Sequence, residues 1–178
     1  GSSQTGTPNA ANTTLMAGAL AHEFFTPPDP AFGIAQFNFD RDPARMDAFS
    51  SVYDTYRDAT LAEFRKRGGK LLIFHGTADP IFSVNHTRAW YAKLLSADPT
   101  AASYVRLFLV PGMNHGGGGP STDKFDAMTP LMQWVENAAP PNLISASVTP
   151  GNTDLPSSWS ATRTRPLCPY PSKAQLIS

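Results

Sequence analysis

Asp79 and His115 are the two side chains whose types and settings best fit proton-transfer chemistry. Asp79 lies five residues past the apolar run 70–74 (KLLIF), and His115 lies five residues past the apolar run 105–110 (VRLFLV). A histidine in such a loop can take a proton from an alcohol and later return it, while a carboxylate orients the imidazole through its other nitrogen. The spacing therefore predicts a general base with its supporting acid.

Each of these side chains has an ordinary structural interpretation when it is taken alone. An aspartate before a proline, as in Asp79-Pro80, is common in turns, and a histidine near glycines is often only a hydrogen-bonded loop residue. Phe82, three residues past the acid, would line an apolar pocket for substrate or would pack beneath the following helix. The catalytic interpretation is favoured because both residues follow matching apolar runs in the expected order.

The elements between and after these loops predict a parallel sheet. The runs 70–74 and 105–110 are continuous and apolar, as expected of strands that are covered on both faces. Helical spacing of apolar residues connects them over 84–95 and recurs over 125–135. Strands that alternate with helices favour right-handed parallel crossovers. The proline-rich tail beyond Leu143 is expected to wrap the surface.

Strand, acid, helix, strand and histidine, in that order, are how the second half of an α/β-hydrolase supplies the Asp and His of a Ser-His-Asp triad. We therefore predict the C-terminal part of an α/β-hydrolase sheet flanked by helices, with a loop-rich C-terminal tail. Residues 1–13 are expected to form a flexible arm and residues 14–178 the hydrolase part. The G-x-S-x-G elbow of such a triad precedes the acid, and none occurs in these 178 residues. The nucleophile segment is expected to lie elsewhere.

The other histidines and the glycine run have less specific interpretations. His75, at the end of its strand, is expected to be a buried, hydrogen-bonded imidazole, whereas His22 and His86 are expected to be surface or packing residues. The run 116–119 (GGGG) is not followed by the lysine of a phosphate-binding loop. We interpret it as a tight loop that lets the backbone approach the site.

Composition limits the classes of partner. Fourteen Lys and Arg balance fourteen Asp and Glu, so no electrostatic footprint for nucleic acid or an anionic membrane appears. The single cysteine, Cys168, excludes a disulfide within the chain and a cysteine-rich metal site. We expect a small neutral substrate, with neither nucleic acid nor membrane as a partner.

Three segments together resemble the tannase/feruloyl esterase family of α/β-hydrolases. They are GGKLLIFHGTADPIFS, VRLFLVPGMNHGGGGPSTDKFDAMTPLMQWVENAAPP and RPLCPYP, and the upstream stretch FNFDRDPARMDA is also similar to that family. The resemblance implies that Asp79 is the catalytic acid and His115 the catalytic base. It also implies hydrolysis of esters of aromatic carboxylic acids, in a secreted or periplasmic protein.

The chain departs from the family pattern in what it contains. The family's nucleophilic serine, its oxyanion-hole loop and its lid domain, which usually holds a calcium ion, are not among these residues, so no cofactor is expected in this chain. Many members carry a cysteine directly after the catalytic histidine, where this sequence has Gly116. Cys168 matches the cysteine of the family's C-terminal motif, without its partner.

Three functions remain open on the sequence alone. The leading hypothesis is an ester hydrolase in which this chain supplies Asp79 and His115, an N-terminal segment supplies the serine, and the chain alone is inactive. The second is a non-catalytic binding or interaction module derived from a hydrolase. The third is another α/β-hydrolase activity, such as that of a peptidase or an acyltransferase.

Overall fold

The computed structural model of the protein describes residues 11–54, 56 and 60–175. By its internal contacts the chain divides into two compact units, Gly1–Asp58 and Ala59–Ser178. Of the arm predicted over residues 1–13, residues 1–10 lie outside the described part, and residues 11–13 belong to the first helix. A domain boundary after residue 13 stays a prediction.

The first unit is helical where it is described. Its core is formed by Leu20, Phe25 and Phe32, and the Arg45 guanidinium lies 3.8 Å from the centre of the Phe25 ring. Asp42 is fully buried and pairs with that guanidinium at 2.9 Å, so the buried charge is compensated. The helices are α1 (Ala11–His22), α2 (Asp42–Met46) and α3 (Ser50–Tyr53), with 3-10 turns at Ile34–Gln36 and Asp47–Phe49.

The second unit contains the predicted parallel strands. β1 (Leu71–Gly76) and β2 (Val105–Val110) pair in parallel along their whole length, from Leu71 opposite Val105 to Gly76 opposite Val110. The connection between them includes α5 (Val84–Ala97) and a 3-10 turn at Ala101–Ser103. A shorter helix, α4 (Ala62–Lys66), precedes β1. This register places the loops that follow β1 and β2 side by side at one edge of the sheet.

β2 is covered on both faces, as its continuous apolar sequence predicts. Val105 and Leu107 pack with Tyr91 and Leu94 of α5. Phe108 and Val110, on the opposite face, belong to a second core cluster that also contains Met113, Ile144, Ala146 and Leu167. The two sides of β2 therefore pack against different layers, and the strand is held firmly where its C-terminal loop begins.

The expectation that the tail beyond Leu143 only wraps the surface is wrong. The tail forms β4 (Ile144–Ser147) and β5 (Thr164–Leu167), which join β3 (Lys124–Phe125) in an antiparallel sheet of order β3-β4-β5. The sequence ISASV alternates apolar and polar residues, and its apolar members Ile144, Ala146 and Val148 are buried. The short period-two pattern was masked by the surrounding prolines and serines. α6 (Met128–Asn137) lies between β3 and β4 in the chain.

The tail also reaches the outer edge of β2. Phe108 forms an antiparallel bridge with Pro169, and the Tyr170 N–H donates to the carbonyl oxygen of Leu107 at 2.7 Å. Within the described strands, β1 has no hydrogen-bonded neighbour on its other side. An extension of the parallel sheet would therefore add at β1. No helix in the described part of the chain is long and apolar enough to cross a membrane.

Candidate active site

The structure brings the carboxylate of Asp79 and the imidazole of His115 into direct contact. Oδ2 of Asp79 lies 2.9 Å from Nδ1 of His115, although the residues are 36 positions apart in the chain. Only 4% of the Asp79 side chain is exposed, against 47% of the His115 side chain. Since an ionised carboxylate can only accept, Nδ1 carries the proton, and Nε2 of the neutral ring keeps its lone pair. Nε2 makes no hydrogen bond to any described residue.

The turn after β1 fixes the orientation of the acid. Oδ1 of Asp79 accepts hydrogen bonds from the N–H groups of Ile81 (2.8 Å) and Phe82 (3.0 Å). This is the local turn that an aspartate before a proline favours, so the structural interpretation of Asp79 is confirmed. The turn occupies one carboxylate oxygen and leaves Oδ2 for the imidazole. The structural and catalytic interpretations of Asp79 are therefore compatible.

Gly76 lets the loops after β1 and β2 approach each other. A Cβ at residue 76 would overlap the carbonyl oxygen of Met113, so a side chain there would push the loops apart. The Ala78 N–H donates to that same carbonyl oxygen at 3.1 Å. The Gly112 N–H donates to the Thr77 hydroxyl oxygen at 2.9 Å. These contacts hold the two loops in register just before Asp79 and His115.

The surroundings of Asp79 keep its carboxyl group ionised. Burial acts to raise the pKa of Asp79, but hydrogen bonds from the His115 imidazole and from the Phe82 and Ile81 N–H groups outweigh it and bring the pKa down to about 2. At neutral pH the carboxylate is negative and adjoins Nδ1. Such a charge stabilises an imidazolium that forms when the ring takes up a proton.

His75 is a second imidazole beside the same carboxylate. Its Nε2 lies 3.1 Å from the Phe82 carbonyl oxygen and 3.3 Å from Oδ2 of Asp79, and its Nδ1 lies 2.9 Å from the Thr87 hydroxyl. A carbonyl oxygen can only accept, so Nε2 carries the proton and Nδ1 accepts from Thr87. The side chain is 12% exposed. The prediction of a buried, hydrogen-bonded imidazole is confirmed, but its proximity to Asp79 was missed.

Phe82 lies beside the half-exposed imidazole. The rings of Phe82 and His115 have centroids 5.3 Å apart and planes tilted by 60°. The Phe82 side chain is exposed, so it does not pack beneath α5. Its position fits an apolar wall next to His115, and its role in binding substrate stays a prediction. His86 is exposed on α5, as the sequence analysis allowed.

The glycine run after His115 is held by carboxylates that the sequence analysis did not single out. Asp123 accepts from the Gly118 N–H at 2.8 Å, and Asp154 accepts from the Gly119 N–H at 3.0 Å. Gly116, Gly118 and Gly119 have φ values of 70–75°, which side chains rarely adopt. The prediction of a tight loop is confirmed. Asp154 lies far away in sequence, and no local pattern marked it.

No metal centre is found in the part of the chain that the structure describes. It contains no group of three or more His, Cys, Asp or Glu side chains that could hold an ion. Cys168 is a free thiol, half-buried.

Comparison with known proteins identifies the fold. An esterase from Aspergillus oryzae superposes with a TM-score of 0.67 at 24% identity, covering 87% of this chain and 33% of that one. Feruloyl esterase B from the same fungus gives a TM-score of 0.66 at 23% identity, covering 86% and 32%. The parallel strands with an acid loop and a histidine loop at one edge thus belong to an α/β-hydrolase fold.

Sequence comparison identifies the family. The family model described as tannase and feruloyl esterase matches residues 2–178, and the chain belongs to that family. Mono(2-hydroxyethyl) terephthalate hydrolase of Piscinibacter sakaiensis is 46% identical over 167 residues, covering 86% of this chain and 27% of that protein. Feruloyl esterase B of Aspergillus niger is 29% identical over 155 residues, covering 77% and 27%. The chain thus spans about a quarter of the length of these relatives.

Proposed function

We propose that this chain supplies the acid and the base of a carboxylic ester hydrolase that cleaves esters of aromatic acids. The observation that carries the proposal is the 2.9 Å contact between the buried, ionised Asp79 and the half-exposed His115. Family membership supports the reaction class, since the named relatives are ester hydrolases. In this proposal His115 is the general base and Asp79 its orienting acid.

The chemistry proceeds through an acylated serine. Nε2 of His115 takes the hydroxyl proton as the serine oxygen bonds to the ester carbonyl carbon. The imidazolium, stabilised by Asp79, then gives this proton to the leaving alkoxide, and the ester C–O bond breaks. A water molecule attacks the acyl-serine with the same imidazole as base. The acid leaves and the serine regains its proton.

The serine comes from a segment outside these 178 residues. This part of the proposal rests on the lack of a G-x-S-x-G elbow in the sequence and on the small share of the relatives' length that the chain covers. The chain alone should therefore be inactive, because removing the nucleophile of a serine hydrolase costs on the order of 10⁶ in turnover.

The ring beside the candidate base supports the proposed substrate class. Phe82 presents an exposed aromatic face next to His115, where the acyl group of an ester would lie during attack by the serine. The relative from Piscinibacter is named for an ester of an aromatic diacid, and feruloyl esterase B of Aspergillus niger is named for feruloyl esters. We accordingly propose aromatic acyl esters as substrates, hydrolysed in a secreted or periplasmic setting.

A non-catalytic interaction module is the second candidate. Two observations favour it, the missing elbow and Gly116 in the position where many family members have a cysteine. The preserved geometry of Asp79 and His115 weighs against it. A peptidase or an acyltransferase would use the same Asp79–His115 pair. A peptidase would cleave an amide, and an acyltransferase would pass the acyl group to an acceptor other than water.

The test compares the 178-residue chain with a longer protein that contains it and a preceding serine-bearing segment. Each is assayed on methyl ferulate, on mono(2-hydroxyethyl) terephthalate and on the matching amides. We expect ester turnover by the longer protein, little on the amides and none by the short chain. Preference for amides would indicate a peptidase, and no turnover by the longer protein would favour the interaction module. Ester turnover by the short chain would refute a nucleophile from elsewhere.

A further inference from the structure

A second concave site lies apart from the Asp79–His115 pair, between β2 and the C-terminal tail. It is a cleft of about 600 Å³, within the range of small-molecule sites. Its walls include apolar side chains of β2 and of the tail. Asp79 and His115 do not line it. Its charged and aromatic lining residues are Arg88, Arg163, Arg165, Lys173, Trp159 and Tyr170.

The cleft concentrates positive charge in a protein without net charge. Four of the fourteen Lys and Arg residues line it, and no Asp or Glu does. None of the four forms an ion pair with a carboxylate in the described residues. Cations that share a concave, partly apolar site repel one another unless an anion enters. The charge distribution therefore points to an anionic ligand.

Two of the cations are held in place by aromatic rings. The Arg163 guanidinium lies 4.0 Å from the centre of the Trp159 ring, and its Nε is buried without a hydrogen-bond partner in the described residues. The Arg88 guanidinium lies 5.3 Å from the Tyr170 ring, and its Nη2 lies 3.3 Å from the Tyr170 hydroxyl oxygen. Cations fixed in this way lose little freedom when they bind an anion. The buried Nε of Arg163 leaves one donor unsatisfied.

An added strand of the parallel sheet would not occupy the cleft. The tail already covers the outer edge of β2 through the bridge from Phe108 to Pro169 and the hydrogen bond from Tyr170. A strand from another segment would add at β1 instead. The cleft is therefore not the place where the sheet continues.

We propose that this cleft binds an organic acid, a carboxylate carried on a flat apolar body. The guanidinium groups of Arg163 and Arg165 would bind the carboxylate, because planar guanidinium groups match its two oxygens. Leu109, Pro111 and Pro166 line the cleft as well and supply apolar surface for the body. The proposal is independent of the hydrolytic one, because neither Asp79 nor His115 lines the cleft.

The probe is benzoate, titrated into the 178-residue protein by calorimetry and followed in ¹⁵N-resolved NMR spectra. Benzamide is the uncharged probe of the same shape, and inorganic phosphate is the anion without an apolar body. We expect benzoate to bind, to shift the resonances of residues 159–173, and to bind more weakly as salt is added. Benzamide and phosphate should each bind at least about tenfold more weakly, as expected when a charged hydrogen bond or the apolar contact is lost.

Substitutions locate the site. Arg163→Gln should weaken benzoate binding by about tenfold, and Arg165→Gln, at an exposed position where the fold is not at risk, should weaken it several-fold. Arg67→Gln, at the end of α4 and outside the cleft, is the matched control and should leave binding unchanged. Absence of benzoate binding, equal affinity for benzamide or for phosphate, or full affinity in both cleft variants would overturn the proposal. None of these results would bear on the proposed ester hydrolysis at Asp79 and His115.

Discussion

His75 places its Nε2 3.3 Å from Oδ2 of Asp79, the same carboxylate oxygen that His115 contacts from the other loop. One acid thus adjoins two imidazoles of different accessibility. His75 is largely buried and both of its ring nitrogens are engaged, whereas His115 is half-exposed and bonded only through Nδ1 among the described residues. In the proposed function, the free lone pair on Nε2 makes His115 the candidate base, and His75 would position the acid loop.

Replacing His75 should cost stability more than chemistry. His75→Leu removes the contacts with Thr87 and the Phe82 carbonyl, and we expect the free energy of unfolding to fall by about 1–3 kcal/mol. In the longer protein that carries the serine, the kcat for an aromatic ester should fall by no more than about tenfold, since Asp79 keeps its bonds to the backbone and to His115. Thr87→Val, which removes one contact, is the graded control. Loss of kcat as large as that of a His115 variant would identify His75 as the base instead.

Replacing the acid by its amide should abolish most turnover while leaving the fold intact. In Asp79→Asn the amide oxygen can still accept from the Ile81 and Phe82 N–H groups, but the charge that stabilises the imidazolium is gone. We expect the kcat of the longer protein that carries the serine to drop by about 10⁴, as in triads altered in this way. Asp126→Asn is the matched control, because Asp126 accepts from the N–H groups of Met128 and Thr129 in a similar turn away from the histidine. Equal losses in both variants would count against a catalytic role for Asp79.

The lowered pKa of Asp79 predicts a pH-dependent contribution to stability. Its pKa falls from 3.8 to about 2 on folding, so the ionised group stabilises the folded protein above pH 3.8, and this stabilisation is lost as the pH falls toward 2. Urea unfolding of the wild type and of Asp79→Asn should therefore differ most near neutral pH and converge only as the pH falls to about 2. Asp98, whose pKa is also lowered, titrates in both proteins, so its contribution cancels in the difference between them. A difference that stays constant across this range would contradict the lowered pKa.

Phe82 should determine affinity for the aromatic part of the substrate. In the longer protein that carries the serine, we expect Phe82→Ala to raise KM for an aromatic acyl ester by about tenfold, the effect of losing roughly 1–2 kcal/mol of ring contact. An aliphatic acyl ester measured on the same variant is the internal control and should change little. Phe82→Leu, which keeps apolar volume without the ring, should have a KM between those of the wild type and Phe82→Ala. Equal changes for both esters would mean that Phe82 affects the loop and not the acyl group.

The candidate site was easier to predict from the sequence than the antiparallel sheet formed by the C-terminal tail. Strong apolar runs marked β1 and β2, and loop position alone placed Asp79 and His115 at one sheet edge. β4 and β5 were not predicted because each is only four residues long and because β5 contains Pro166, a residue that is rare inside strands. The contacts of His75 with Asp79, and of Asp154 with Gly119, depend on tertiary structure and leave no local pattern.

Turnover of methyl ferulate by the longer protein carrying His115→Ala is the most direct test of this account. We expect kcat to fall by about 10⁶, as when the histidine of a serine hydrolase is removed, with an unchanged unfolding midpoint. His86→Ala, an exposed histidine on α5, should keep full activity. If the folded His115→Ala protein hydrolyses the ester within about tenfold of the wild-type rate, His115 is not the base, and the proposed function of this site is wrong.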